Sequence, residues 1–199
     1  MSSRDTILKT IRAISVPERE LPSLDSDWIQ FDSPIDQFAT MLEAVGGRSI
    51  RVKSISAIES ELSQLDQFQT AKIKVSTIDG IGEPTLDLLS VQEPFELETV
   101  DFAVLRGEFA VAENGAVWVR EQSDWHRAIY FITQHLALVV PTSEIVNNMH
   151  EAYARLSFTE NQFAGFISGP SKTADIEQSL VIGAQGPRSH VVFLVDDLV

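Results

Sequence analysis

Cysteine is missing from all 199 residues. Its absence removes a disulfide scaffold, a cysteine nucleophile, a Cys-type zinc site and an iron–sulfur cluster carried by this chain. Positive charge is scarce: 15 Lys and Arg stand against 29 Asp and Glu, a formal charge of −14 with a pI near 4.6. Nucleic-acid binding is disfavoured, because neutralising phosphates needs clustered cations. No run approaches the roughly 18 apolar residues of a membrane-spanning helix. The first residues also lack the unbroken apolar stretch of a secretory signal, so the expected location is the cytoplasm, without membrane insertion. The G-x-x-x-x-G-K-[ST] phosphate loop, the G-x-G-x-x-G dinucleotide fingerprint, the G-x-S-x-G nucleophile elbow and the H-x-x-x-H and H-x-x-E-H metal spacings are all absent. His126, His135, His150 and His190 are scattered, and no metal site is expected. Internal repeats and low-complexity tracts are lacking too.

What is present suits one globular domain. The chain is 44% apolar, and its length supports a core without disulfide or metal staples. Ile7, Leu8, Ile11 and Ile14 recur at spacings of three and four, as in an amphipathic helix that stops before Pro17. Pro34 opens a second helix with Ile35, Phe38, Ala39, Leu42 and Val45 as its apolar stripe, closed by Gly46 and Gly47. This divides the chain into a helical, proline-containing arm over 1–33 and an α/β domain over 34–199. Within the domain, strands are expected at 49–53 and 72–75, with a helix over 55–65 between them, a rhythm typical of a parallel sheet. Residues 79–101 carry seven acidic side chains and no Lys or Arg, read as a solvated acidic connection with a short helix near 86–89. An Asn114-Gly115 pair within 100–119 signals a hairpin. A buried strand is expected at 135–141, followed by a helix from Thr142 or Ser143 to Leu156. The last segment reads as strand 163–167, tight loop 168–172, helix 173–182, glycine loop 183–188 and strand 190–195, a right-handed βαβ unit.

Chemistry has few places to sit. In Gly169-Pro170-Ser171-Lys172-Thr173-Ala174-Asp175, a glycine turn, hydroxyls, an ammonium and a helix N-terminus would suit phosphate or carboxylate. The alternative is plain capping by Ser171 or Thr173, with Asp175 and Glu177 in the first turn. Ligands of parallel sheets lie outside the carboxyl ends of strands, where the 168–172 loop is expected; simple topology puts the 183–188 loop at the opposite edge. His126 and Arg127 either address an anion or decorate a surface turn. Glu113 is a candidate general base if buried. Glu108, five residues away, would point to the other face of a strand.

GEFAVAENGAVWV at 107–119, LALVVPTSEIVNNM at 136–149 and ISGPSKTADIEQSLVIGAQGP at 167–187 together resemble the LUD-domain family, and within it the lactate utilization protein C group. The GPSKTADIE segment is the specific part. The resemblance implies a fold similar to the NagB/RpiA/CoA transferase-like superfamily: a mostly parallel sheet flanked by helices, preceded here by the N-terminal helical arm. It also implies participation in oxidising L-lactate to pyruvate beside iron–sulfur partner proteins that carry the redox centres, with no cofactor in this chain.

On this reading Gly169, Ser171, Lys172, Thr173, Asn114, Gly115 and Gln185 bind or shape the pocket of a small anionic metabolite. Where the family commonly reads Glu-Thr-Gly-Thr, this chain has Glu113-Asn114-Gly115-Ala116. Where it reads Gly-x-His-Gly-Pro, Gln185 replaces the histidine, which removes proton transfer and keeps hydrogen bonding. Two alternatives stay open: an isomerase- or transferase-like enzyme acting on a sugar phosphate or CoA thioester with Glu113 as base, and a pure assembly subunit.

Overall fold

The computed structural model describes residues 2–14, 17, 19–121, 125–157, 163–173 and 181–197. Its centre is a five-stranded, wholly parallel sheet in the order β1 (Arg48–Val52), β11 (Ser189–Val195), β6 (His135–Pro141), β3 (Phe102–Arg106) and β2 (Lys74–Ser76). Helices pack on this sheet, so the expected α/β class and mostly parallel architecture are found.

Both faces of the central strands are apolar, as a sheet covered on two sides requires. On β11, Val191, Phe193 and Val195 join one cluster and Val192 and Leu194 the other. The first face is covered by α3 (Ile55–Leu62) and α4 (Asp66–Thr70), through Ile58, Leu62 and Phe68. The second is covered by α2 (Pro34–Ala44), α5 (Ile129–Ile132) and a smaller sheet. That sheet runs β7 (Ile145–Val146), β4 (Phe109–Val111), β5 (Ala116–Arg120), β8 (Ala164–Ile167). Its outer face carries a third cluster, in which Phe109, Val111, Trp118 and Val146 meet Ala152 of α6 (Met149–Arg155).

Three expectations are corrected. The helix placed from Thr142 or Ser143 begins only at Met149. Ile145 and Val146, both β-branched, pair in parallel with β4 instead. The cap is Asn148, whose side chain accepts from the Glu151 amide at 2.9 Å while the Glu151 carboxylate accepts from the Asn147 amide at 2.8 Å.

The helix expected over 173–182 is contradicted at both ends, because β9 (Lys172–Thr173) pairs antiparallel with β10 (Val181–Ile182). Residues 174–180, including Asp175 and Glu177, lie outside the described residues. The closing βαβ unit also fails: β8 pairs antiparallel with β5 in the small sheet, whereas β11 lies at the heart of the large one. The acidic connection holds two short 3-10 turns, Leu88–Ser90 and Pro94–Thr99.

The N-terminal helix α1 (Ser3–Ala13) forms as its spacing predicts and buries no residue. Beyond the arm helix, the chain engages the body around residues 28–31. There Trp28 stacks on His150 at 3.4 Å between ring centroids, and the Phe31 amide donates to Asn147 Oδ1 at 3.0 Å.

Candidate functional site

The residues singled out from the sequence fall into two adjoining groups. The first gathers at the C-terminal turn of α2. Asn114 and Gly115 form the tip of the β4–β5 hairpin, closed by the Gly115 amide donating to the Val111 carbonyl at 3.0 Å. Ser168 Oγ donates to the Asn114 carbonyl at 2.8 Å. Gly169 lies so close to Val45 that a Cβ there would fall 2.5 Å from the Val45 carbonyl oxygen. Lys172 Nζ donates to that same carbonyl. The ammonium therefore satisfies a helix end, where the macrodipole favours a cation.

The second group forms where the chain doubles back through β9 and β10. The Ser171 amide donates to the Pro187 carbonyl at 2.9 Å, and the Gly183 amide donates to the Ser171 carbonyl at 2.8 Å. The two glycine loops therefore touch, where simple topology had put them at opposite edges. Thr173 Oγ1 is engaged in the hairpin, accepting from the Val181 amide at 3.2 Å. Lys172 and Thr173 themselves lie in β9 rather than in the first turn of a helix, against the helix start expected at Thr173.

Gln185, by contrast, faces a cavity of about 510 Å³. Its walls include His126 and Arg127 on the approach to α5, Phe131 and Ile132 of α5, Gln134, Phe163 and the 183–186 loop. Arg127 Nη1 lies 3.4 Å from Glu121 Oε2, and its guanidinium sits 5.6 Å from the centre of the Phe163 ring. His126 Nδ1 accepts from the Ala128 amide at 3.1 Å, so the neutral ring carries its proton on Nε2. Cationic and amide groups thus share one chamber with aromatic and aliphatic walls, a combination suited to a small organic anion.

This chamber lies at the amino-terminal edge of the parallel sheet, since Gln134 and Arg188 lead into β6 and β11 and the Arg188 amide donates to the Gln134 carbonyl at 2.8 Å. The carboxyl-end rule pointed to the other edge. His135, the next residue, hydrogen-bonds through Nδ1 with Ser189 Oγ at 2.8 Å. Burial lowers its pKa first, and the nearby Arg188 adds to the effect. Of this chamber, the sequence flagged Gln185 and the His126-Arg127 pair; Gln134, Phe131 and Phe163 carried no signal beyond apolar or polar character.

Glu113 corrects an expectation. It is exposed, and its carboxylate accepts from the Met149 amide at 2.8 Å, at the start of α6. The burial on which a base role depended is absent. Glu108 pairs instead with Arg120 at 3.1 Å. Among the described residues no group of three His, Cys, Asp or Glu side chains converges as a metal site would need.

The LUD-domain family profile matches residues 95–195, which span β3 to β11 and both groups above. The chain belongs to the LUD-domain family. Similar proteins include lactate utilization protein C of Bacillus pumilus, 33% identical over 106 residues, covering 50% of this chain and 44% of that protein. The protein of the same name from Bacillus subtilis is 30% identical over 106 residues, with the same coverage of 50% and 44%. This LUD-domain chain therefore spans less than half the length of these curated relatives. Among solved structures, a DUF162 family protein from Deinococcus radiodurans matches with a TM-score of 0.57 at 19% identity, over 81% of this chain and 96% of that one. At that identity the likeness speaks for the fold alone.

Proposed function

We propose that this chain is a non-redox component of a lactate-utilisation system, and that the Arg127 chamber takes a small monocarboxylate. The single observation that carries the reading is the meeting of Gln185, from the family-like 167–187 segment, with His126 and Arg127 in one cavity. Arg127 offers a charge-assisted pair to the carboxylate, Gln185 and Gln134 supply neutral donors and acceptors, and Phe131, Ile132 and Phe163 suit a short alkyl end. The names of the relatives support lactate utilisation as the setting. With no cysteine in this chain, the electrons of L-lactate oxidation would pass through iron–sulfur partner proteins. The anion role expected of the 169–173 loop moves to the neighbouring chamber, because Lys172 and Thr173 are engaged within the fold.

Calorimetric titration with L-lactate and pyruvate tests this directly. Arg127→Ala should weaken binding by about 10- to 100-fold, as loss of a charged hydrogen bond does, while Lys172→Met should leave it within about twofold. Equal binding by Arg127→Ala and the unmodified chain, or no binding of either acid, would refute the assignment.

A further inference from the structure

Helix α1 is well formed and none of its residues is buried. Its start is a capping box in which the Ser2 hydroxyl and the Asp5 carboxylate satisfy each other's backbone amides. Yet Ile7, Ile11 and Ile14 are 57%, 59% and 64% exposed, and the helix buries no residue. An isolated helix of 11 residues is marginal in water, where helices shorter than about 12–15 residues rarely persist without tertiary packing. The apolar stripe therefore calls for a surface to cover it. In charge α1 is the inverse of the rest of the chain: Arg4, Lys9 and Arg12 stand against Asp5 alone.

One surface of the body complements both properties. Beside the edge strand β2 lies a groove of about 530 Å³, with Leu86, Leu88, Leu89 and Trp125 as apolar walls and Asp79 and Asp87 among its lining. Among the described residues no Lys or Arg lines it, and the 79–101 segment that builds most of it carries seven acidic side chains and no cation. Leu89 stands 63% exposed in this groove. The cavity beside α5 presents the Arg127 guanidinium instead, which suits a cationic helix less well.

We propose that α1 of one copy of this chain docks in the Asp79–Trp125 groove of a second copy. Within a single chain α1 buries none of its residues, while the 14 residues between Ala13 and Trp28 give the arm reach. Exchange is reciprocal, so each pairing buries two helix faces and two grooves; that symmetry is what brings small contacts toward the roughly 1,000 Å² of a specific interface. This inference does not rest on the Arg127 chamber, and either reading stands if the other fails.

The lack of native cysteine makes the test clean. Ile11→Cys copies are mixed with Leu89→Cys copies under mild oxidation, beside each variant alone and the double variant. Both positions are exposed, so the fold tolerates the changes. The expected result is a disulfide-linked mixed dimer that forms faster than either homodimer and more slowly in high salt. Sedimentation of the unmodified chain should show a dimer whose dissociation constant rises about tenfold or more in Ile11→Asp, the effect of losing an interface anchor. A disulfide that forms only within single chains of the double variant would overturn the proposal, since the groove would then hold its own helix. So would monomers throughout, or binding of α1 to phosphatidylglycerol vesicles by chains that stay monomeric.

Discussion

His190 shows how one side chain can tie stability to pH. It shares its strand parity with Val192 and Leu194 and is 1% exposed, and neither ring nitrogen has a hydrogen-bond partner. Burial, aided by the nearby Lys172 ammonium, pushes its pKa from the ordinary 6.5 down to about 4. In the unfolded chain the imidazole takes a proton near pH 6.5, whereas in the fold it resists until about pH 4. Acid therefore favours the unfolded chain across that window, and stability falls as pH drops through it and levels off on either side. At about 1.4 kcal/mol per pKa unit the loss is on the order of 3–4 kcal/mol. Urea midpoints measured from pH 7.5 to 4 should show this decline in the unmodified chain and a shallower one in His190→Leu. Parallel curves for the two proteins would mean that other groups carry the acid sensitivity. The sequence marks His190 only as one of four histidines, because burial without a partner is a property of its surroundings.

At the scale of elements, the β4–β5 hairpin bears on the body of the fold through its tip. Gly115 has φ of +66°, and a Cβ there would fall 2.7 Å from the Leu42 backbone nitrogen. Only glycine meets both conditions, since an added methyl would have to push backbone. Gly115→Ala should cost about 1–3 kcal/mol in chemical denaturation, with the hairpin displaced from α2. A loss under about 0.5 kcal/mol would mean that the contact yields easily. The hairpin was legible because the Asn-Gly signal and its flanking alternation are local. The Asn148–Glu151 capping pair was equally present in the sequence, yet the apolar spacing of Ile145, Met149 and Ala152 matched a longer helix. Thr173, Val181 and Ile182 favour strands, but a two-residue pairing across eight positions leaves no periodic trace.

The whole molecule is organised around the three inner strands of the large sheet. β11, β6 and β3 have neighbours on both edges and each feeds both main clusters, and β6 and β11 are the longest of them at seven residues each. Hydrogen exchange should therefore be slowest in the amides of β6 and β11, approaching global unfolding, while α1 in dilute solution exchanges almost as fast as free peptide. Amides of the small sheet outlasting those of β6 and β11 would contradict this core. Among the described residues no helix is long and apolar enough to cross a membrane. The two sheets hold the 168–173 and 183–188 loops side by side, and that contact sets one wall of the Arg127 chamber.

Composition and periodicity by themselves determined the α/β class, the strands at the centre, the amphipathic arm helix and the exclusion of cysteine chemistry. These follow from short-range patterns of apolar and polar residues, which each element must satisfy to bury one face or two. Only the tertiary structure decided that β8 and β11 belong to different sheets, that Lys172 serves a helix end, that Glu113 lies exposed at the start of α6, and that Gln185 joins Arg127 across one cavity. Each of those facts depends on a meeting between residues far apart in the chain, fixed by how the layers pack rather than by any local preference.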